Sequence, residues 1–181
     1  MVYVHLATGF EEVEAASIVD MLRRGNVETA LVSVTGEEVV SGAHDIRFTA
    51  DLLFEDADYD SCEMIVLPGG MPGTTNLQEH DGLCDKIKEF AEAGKWTCAV
   101  CAAPMVLASC GILKGRKATI YPGMEKYIEG AQHTEGPVVK DGTIITSQAP
   151  GTAMLFGLEL VAALKGEEAK EAVRSELFMA I

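Results

Sequence analysis

One cysteine in this chain sits where a thiol can do covalent chemistry. In Trp96-Thr97-Cys98-Ala99-Val100-Cys101-Ala102-Ala103-Pro104-Met105 an apolar, β-prone run ends at Cys101, and small, helix-compatible residues follow at once. A strand that turns sharply into a helix leaves its corner residue over unpaired backbone N–H groups, at the positive end of the helix dipole. A thiol there is expected to ionise more easily, because the thiolate gains electrostatics that the neutral thiol does not. Cys101 is therefore the candidate nucleophile. Cys98 completes a formal Cys-x-x-Cys, the spacing of a dithiol redox pair. Residues three apart in a strand point to opposite faces, so Cys98 reads instead as a buried core thiol. Cys62, Cys84 and Cys110 belong to no motif and read as structural, free thiols.

Two further segments could serve that thiol. Thr8-Gly9-Phe10-Glu11 fits a capping box, with Thr8 as N-cap and Glu11 reaching back to it. Glu14 then falls early in the helix, and Ile18, Met21 and Leu22 follow it at helical spacing, so Glu14 shares the apolar stripe. A carboxyl on that stripe loses hydration and its pKa rises. Protonated, it would donate a hydrogen bond to a thiolate or an oxidised sulfur. Glutamates near a helix start also favour the dipole, and helical phase leaves both readings open. In Leu67-Pro68-Gly69-Gly70-Met71-Pro72-Gly73, glycines after an apolar run let backbone N–H groups approach a ligand, as an oxyanion hole requires. An ordinary strand-to-loop turn has the same composition. No Gly-Lys-Ser/Thr follows, which excludes a Walker loop. His5, His44, His80 and His133 show no metal-ligand spacing, and no Gly-x-Ser-x-Gly elbow occurs. Neither a metal site nor a serine hydrolase is expected.

Alternating strand and helix patterns position these segments. Strands are expected over 2–7, 28–34, 64–67 and 96–100, with a short β excursion over 37–49 and later strands near 118–120, 138–140 and 143–146. Helices are expected over 11–24, 81–93, 102–110, 152–164 and 167–179. Strands separated by helices imply right-handed βαβ units and a mostly parallel sheet covered on both faces, an α/β sandwich of one domain over 1–181. Binding sites in such sheets form beyond the carboxyl ends of the strands. Ala7-Thr8-Gly9, Pro68-Gly69-Gly70 and Cys101 all lie at such ends and are expected to converge.

Bulk properties narrow the function classes. The chain is 181 residues long, 48% hydrophobic and 23% charged, the profile of an ordered globular protein. Its formal net charge of −14 repels phosphate backbones and anionic lipid, so no nucleic-acid or membrane partner is expected. No apolar run approaches the ~18 residues of a membrane span. Residues 1–7 carry no basic leader and read as a strand rather than a signal peptide; five irregularly spaced cysteines then suit a reducing cytoplasm.

With the Gly69-Gly70 corner and the Ala99-Val100-Cys101-Ala102-Ala103-Pro104 elbow in place, the chain resembles the ThiJ/PfpI superfamily. The likeness is nearest to the branch of the Parkinson's-linked oxidative-stress protein and its bacterial relatives. Gly9-Phe10-Glu11-Glu12-Val13-Glu14-Ala15 is similar to that family's acidic first-helix motif, and Thr146-Ser147-Gln148-Ala149-Pro150-Gly151-Thr152 to its late Pro-Gly loop. The resemblance implies a flavodoxin-like fold and a homodimer joined through 10–22 and 44–49. It makes Cys101 an oxidation-sensitive nucleophile, Glu14 its protonated partner, and the amides of Gly70 and Ala102 an oxyanion site. Pro150 would flank the pocket, with Arg24 and His44 reaching across the dimer contact. The chain departs from the family where many relatives place a histidine near the thiol: Tyr121 stands there. It also has Ala102 where the protease-like branch has a histidine. Tyrosine is a poor proton acceptor at neutral pH, and a peptidase or amidase is correspondingly disfavoured. His44 in place of an arginine makes any anion contact depend on pH. The implied function is a cofactor-free glyoxalase or deglycase acting on small α-oxoaldehydes. The alternative is a non-enzymatic oxidative-stress sensor or redox chaperone.

Overall fold

A strand buried on both faces belongs inside a parallel sheet covered by helices on either side. The computed structural model describes residues 1–179, and its β1 (Val2–Leu6) is such a strand, buried throughout. Val2, Val4 and Leu6 join one apolar cluster with Ala15, Ile18 and Leu22 of α1 (Glu12–Arg24) and Phe156, Leu160 and Val161 of α5 (Ala153–Lys165). Tyr3 and Ala7 join a second cluster with Leu77 of α2 (Gly73–Gln78), Leu83, Ile87 and Phe90 of α3 (Asp81–Glu92), and Val106 and Leu107 of α4 (Pro104–Ser109). The alternation along β1 thus assigns the two helical layers.

The other strands are β2 (Thr29–Ser33), β3 (Val39–Ser41), β4 (Arg47–Thr49), β5 (Leu52–Leu53), β6 (Met64–Leu67), β7 (Trp96–Val100), β8 (Lys117–Ala118), β9 (Gln132–His133), β10 (Val138–Asp141) and β11 (Ile144–Ser147). Seven of them form the central sheet in the order β10-β11-β7-β6-β1-β2-β5. All its pairings are parallel except β10 with β11, an antiparallel hairpin at one edge. A three-layer sandwich of this kind is the α/β architecture that the alternating patterns imply, and the flavodoxin-like fold that the resemblance implies. β3 and β4 pair as a hairpin, β8 and β9 as a small separate ribbon, and α6 (Glu167–Glu176) closes the described chain beside α5. Among the described residues no helix is long and apolar enough to cross a membrane.

Three expectations are corrected. Helix α1 starts one residue late, and its N-cap is Glu11, not Thr8: the Glu11 carboxylate accepts the Glu14 N–H at 2.7 Å. Gly9, at φ +86°, swings the chain aside and delays the helix, so the cap falls beyond the apparent box. Helix α4 begins at Pro104 rather than 102, because the turn after Cys101 consumes Ala102 and Ala103. Cys84 and Cys110 are not free thiols but bonded to one another, since the fold lays the start of α3 beside the end of α4.

Candidate active site

The register levels the carboxyl ends of the central strands: Leu67 lies opposite Ala99, and Ser147 opposite Val100. Cys101 follows directly, and two backbone bonds pin it, from its N–H to Ser147 O at 3.0 Å and from the Tyr121 N–H to its carbonyl at 2.8 Å. Between those anchors its φ is +63°, the left-handed region that costs an L-residue about 1–2 kcal/mol. A strained corner held from both sides is how a strand-to-helix elbow presents a nucleophile.

The glycine loop supplies the second wall. The Gly69 N–H donates to Glu14 Oε2 at 2.7 Å, while the Glu11 N–H donates to Gly69 O at 2.9 Å. Gly69 cannot carry a side chain: a Cβ would lie 2.6 Å from the Cys101 Cβ and 2.9 Å from Glu14 Oε2. Its bareness is what lets the carboxyl and the thiol face each other. The three corners therefore converge as the topology requires.

Glu14 is fully buried, as its place on the apolar stripe implies, and its Oε1 has no hydrogen-bond partner. Burial pushes the carboxyl up to about 7, against the lowering effects of the Gly69 N–H and the Cys101 thiol. Cys101 is only 8% exposed. Here the expected activation is reversed: burial first, then the charge of Glu14 and its hydrogen bond, push the thiol up to about 12. The backbones of Gly70 and Ala102 pull the other way without prevailing. The sequence shows the helix dipole but not the depth of the sulfur, and depth wins. The pair accordingly loses its first proton near pH 7, from the carboxyl, while the sulfur stays a thiol. Cys98 is sealed in β7, and burial raises its thiol further still.

The remaining candidates are placed unevenly. Tyr121 is joined to the elbow through its backbone and half exposed, and Pro150 opens a short 3-10 turn three residues beyond the Ser147 that anchors Cys101. Arg24 lies at the far end of α1 from Glu14, paired with Asp20 and Glu176, each at 2.8 Å, so it does not reach its own chain's thiol. His44 is held by Glu12, with Nδ1 2.8 Å from Oε2. His5 and His80 belong to an aromatic group with Phe54 and Tyr59, and His133 is exposed on β9.

Sequence reasoning gave Glu12 no role. It is nearly buried and accepts the His44 N–H at 2.6 Å, the His44 ring and the Ile46 N–H at 3.4 Å. Burial works to raise its pKa, but these bonds outweigh that and hold it below the usual carboxylate range, while Glu12 raises the His44 imidazole. Glu11, Glu12 and His44 also bring ligand-type atoms within 4.8 Å of one another, yet the bonds just described occupy those carboxylates, and no metal reading follows. The partners are 32 residues apart, so local spacing could not reveal the group. Glu12→Ala is expected to cost on the order of 2 kcal/mol, because two loop N–H groups lose their acceptor. Urea denaturation measures the loss, and an NMR titration should show His44 returning toward an ordinary imidazole.

Comparison with known proteins agrees with this geometry. The model of the DJ-1/PfpI family matches residues 1–163. The chain belongs to the DJ-1/PfpI family. It is 34% identical to protein dj-1beta of Drosophila melanogaster over 179 residues, covering 98% of this chain and 96% of that protein. It is 35% identical to protein DJ-1 homolog B of Arabidopsis thaliana over 168 residues, 92% of this chain but only 38% of that longer protein. It likewise spans 43% of Arabidopsis DJ-1 homolog A. Among solved structures, oxidized Toxoplasma gondii DJ-1 superposes with a TM-score of 0.95 at 33% identity, covering 99% of this chain and 98% of that one. Drosophila DJ-1beta gives a TM-score of 0.94, also at 33% identity, with the same coverage of both chains.

Proposed function

We propose that this chain is a cysteine-dependent, cofactor-free glyoxalase- or deglycase-like enzyme acting on small α-oxoaldehydes such as methylglyoxal in the cytoplasm. One observation carries the reading: the bare Gly69 backbone leaves the Cys101 side chain and the buried Glu14 carboxyl facing each other, and the backbones of Gly70 and Ala102 act to lower the thiol pKa. Such a carboxyl can take a proton and give it back at neutral pH, which is what this chemistry needs.

The sulfur bonds to the aldehyde carbon as its proton passes to Glu14 and on to the aldehyde oxygen, giving a hemithioacetal. The amides of Gly70 and Ala102 stabilise the negative charge developing on that oxygen. Glu14 then removes the proton from the same carbon and returns it to the neighbouring one, while the hydroxyl proton of the hemithioacetal passes to the former ketone oxygen, so the ketone becomes an alcohol and the first carbon a thioester carbonyl. The resulting thioester is hydrolysed by water to a 2-hydroxy acid, which releases the thiol without any outside oxidant or reductant. Tyr121 and Pro150 would line the approach.

Purified protein is expected to turn over methylglyoxal, with activity abolished in Cys101→Ser and reduced at least about a hundredfold in Glu14→Gln. Below about pH 7 the rate should fall roughly tenfold per unit, as the pair keeps its first proton. Undiminished turnover in either variant sinks the proposal.

A second reading is a non-enzymatic oxidative-stress sensor or redox chaperone, favoured by the similarity to a Toxoplasma gondii DJ-1 solved in its oxidized form. In that case turnover is absent, and mild peroxide adds two oxygens at Cys101 as a sulfinate that Glu14 holds. A peptidase or amidase lacks support, since the histidines lie elsewhere; casein cleavage lost in Cys101→Ser would restore it. Pairing with a second copy is supported by the apolar side chains of Val13 and Ile46, each 55% exposed around the Glu12 contact. Arg24 and His44 would face the partner's pocket there. Sedimentation velocity at micromolar concentration is expected to give the mass of two chains.

A further inference from the structure

Cys84 and Cys110 are bonded to each other, whereas Cys62, Cys98 and Cys101 are free. Their surroundings set them apart. Cys62 and Cys98 are sealed in the core, while Cys84 is half-buried in the first turn of α3 and Cys110 caps the end of α4. Their Cα atoms are 5.6 Å apart, inside the range a disulfide spans without moving the backbone. Each backbone is also held without the bond, by Cys84 N–H to His80 O at 3.2 Å and Cys110 N–H to Val106 O at 3.0 Å. Leu83, Ile87, Val106 and Leu107 pack around both cysteines in one cluster. Opening the bond would therefore leave two thiols still side by side. The helix it secures is the short α4, whose other end is joined to Cys101 by the two-residue turn Ala102-Ala103.

We propose that Cys84 and Cys110 are a second redox centre, a reversible dithiol–disulfide that exchanges with external thiols and, by clamping α4 to α3, restrains the reactivity of Cys101. In the opening step a thiolate of a dithiol reductant attacks the sulfur of Cys84, the less buried of the two residues. The Cys84–Cys110 bond breaks, a mixed disulfide forms, and Cys110 leaves as a thiolate that takes up a proton. The reductant's second thiol then displaces Cys84, so the reductant becomes a disulfide and the protein gains two electrons and two protons. Closure is the reverse, with an external disulfide as oxidant. The two centres differ in kind: Cys101 has no second sulfur, so under peroxide it gains oxygen, while the pair loses hydrogen.

The test poises folded protein in mixtures of reduced and oxidised dithiothreitol, removes the reagent, and counts alkylated cysteines by mass. The pair is expected to pass from two blocked thiols to two alkylated ones across the series, with Cys62, Cys98 and Cys101 free throughout. The initial rate of Cys101 alkylation in folded protein, followed on its own peptide, is expected to be at least threefold slower with the pair closed. In Cys84→Ser that dependence on redox state should vanish, with Cys84→Ala as a second variant if serine perturbs folding. A pair that stays closed or open across the whole series overturns the proposal. So does a Cys101 rate equal in the two states, or a difference that persists in the variants.

Discussion

Gly69→Ala is expected to destabilise the protein by about 3 kcal/mol or more and to displace the elbow. A methyl at this position meets the Cys101 Cβ at 2.6 Å, Glu14 Oε2 at 2.9 Å and Val100 O at 3.0 Å. The Cys101 Cβ and Val100 O are fixed to the backbone, and Glu14 Oε2, though terminal, is buried and held by the Gly69 N–H. Overpacking a fitted interior commonly costs 1–3 kcal/mol, and here the clash also threatens the bond from Gly69 N–H to Glu14 and so exposes a buried carboxyl to loss of its partner. Urea denaturation should show a lower midpoint with an unchanged slope. Gly151→Ala is the control, because a methyl there meets nothing within 4 Å, and its effect should stay within about 0.5 kcal/mol. Equal midpoints for the two variants would mean that the wall between thiol and carboxyl is not tight.

Glu14→Gln is expected to stabilise the protein at pH 8 and not at pH 4. The folded protein holds the Glu14 proton up to about pH 7, whereas the unfolded chain releases it near 4.5. Between those values the native state binds more protons, so stability falls as pH rises, by up to about 3 kcal/mol across the window. Glutamine stays neutral and removes that slope. The quantity to measure is the difference in unfolding free energy between variant and wild type at several pH values, since other groups contribute slopes of their own. A difference that does not change between pH 4 and 8 would show that Glu14 titrates like a solvated carboxyl. Cys101 acts in the same sense at higher pH, because its unfolded thiol ionises near 9 and its folded one only near 12.

Much of this site is legible in local pattern. Periodicity placed Glu14 among Ile18, Met21 and Leu22, and its burial followed; the alternation of strands and helices brought three corners together at one end of the sheet. What the pattern could not carry was distance in the third dimension. The helix dipole argued for an acidic Cys101 thiol, but the sulfur lies deep and next to a carboxylate, so desolvation reverses the sign. Cys84 with Cys110 and Glu12 with His44 are pairings across 26 and 32 residues, made by tertiary packing that no local signal encodes. The apparent capping box at Thr8 failed because Gly9 bends the chain first. The antiparallel β10 and the two-residue β5 are too short for periodicity to orient them.

The corner at Gly9-Phe10-Glu11 is braced from two directions. On one side Gly9 N–H reaches Ser41 O and Ala43 N–H reaches Phe10 O, each at 2.8 Å, tying it to the β3–β4 hairpin. On the other, Gly73 N–H reaches Gly9 O at 3.1 Å and Glu11 N–H reaches Gly69 O. The hairpin and the acid are thus two ends of one lever, with this corner as its fulcrum. Whatever displaces the outer end of that hairpin is therefore transmitted through backbone hydrogen bonds to the loop that holds the buried carboxyl.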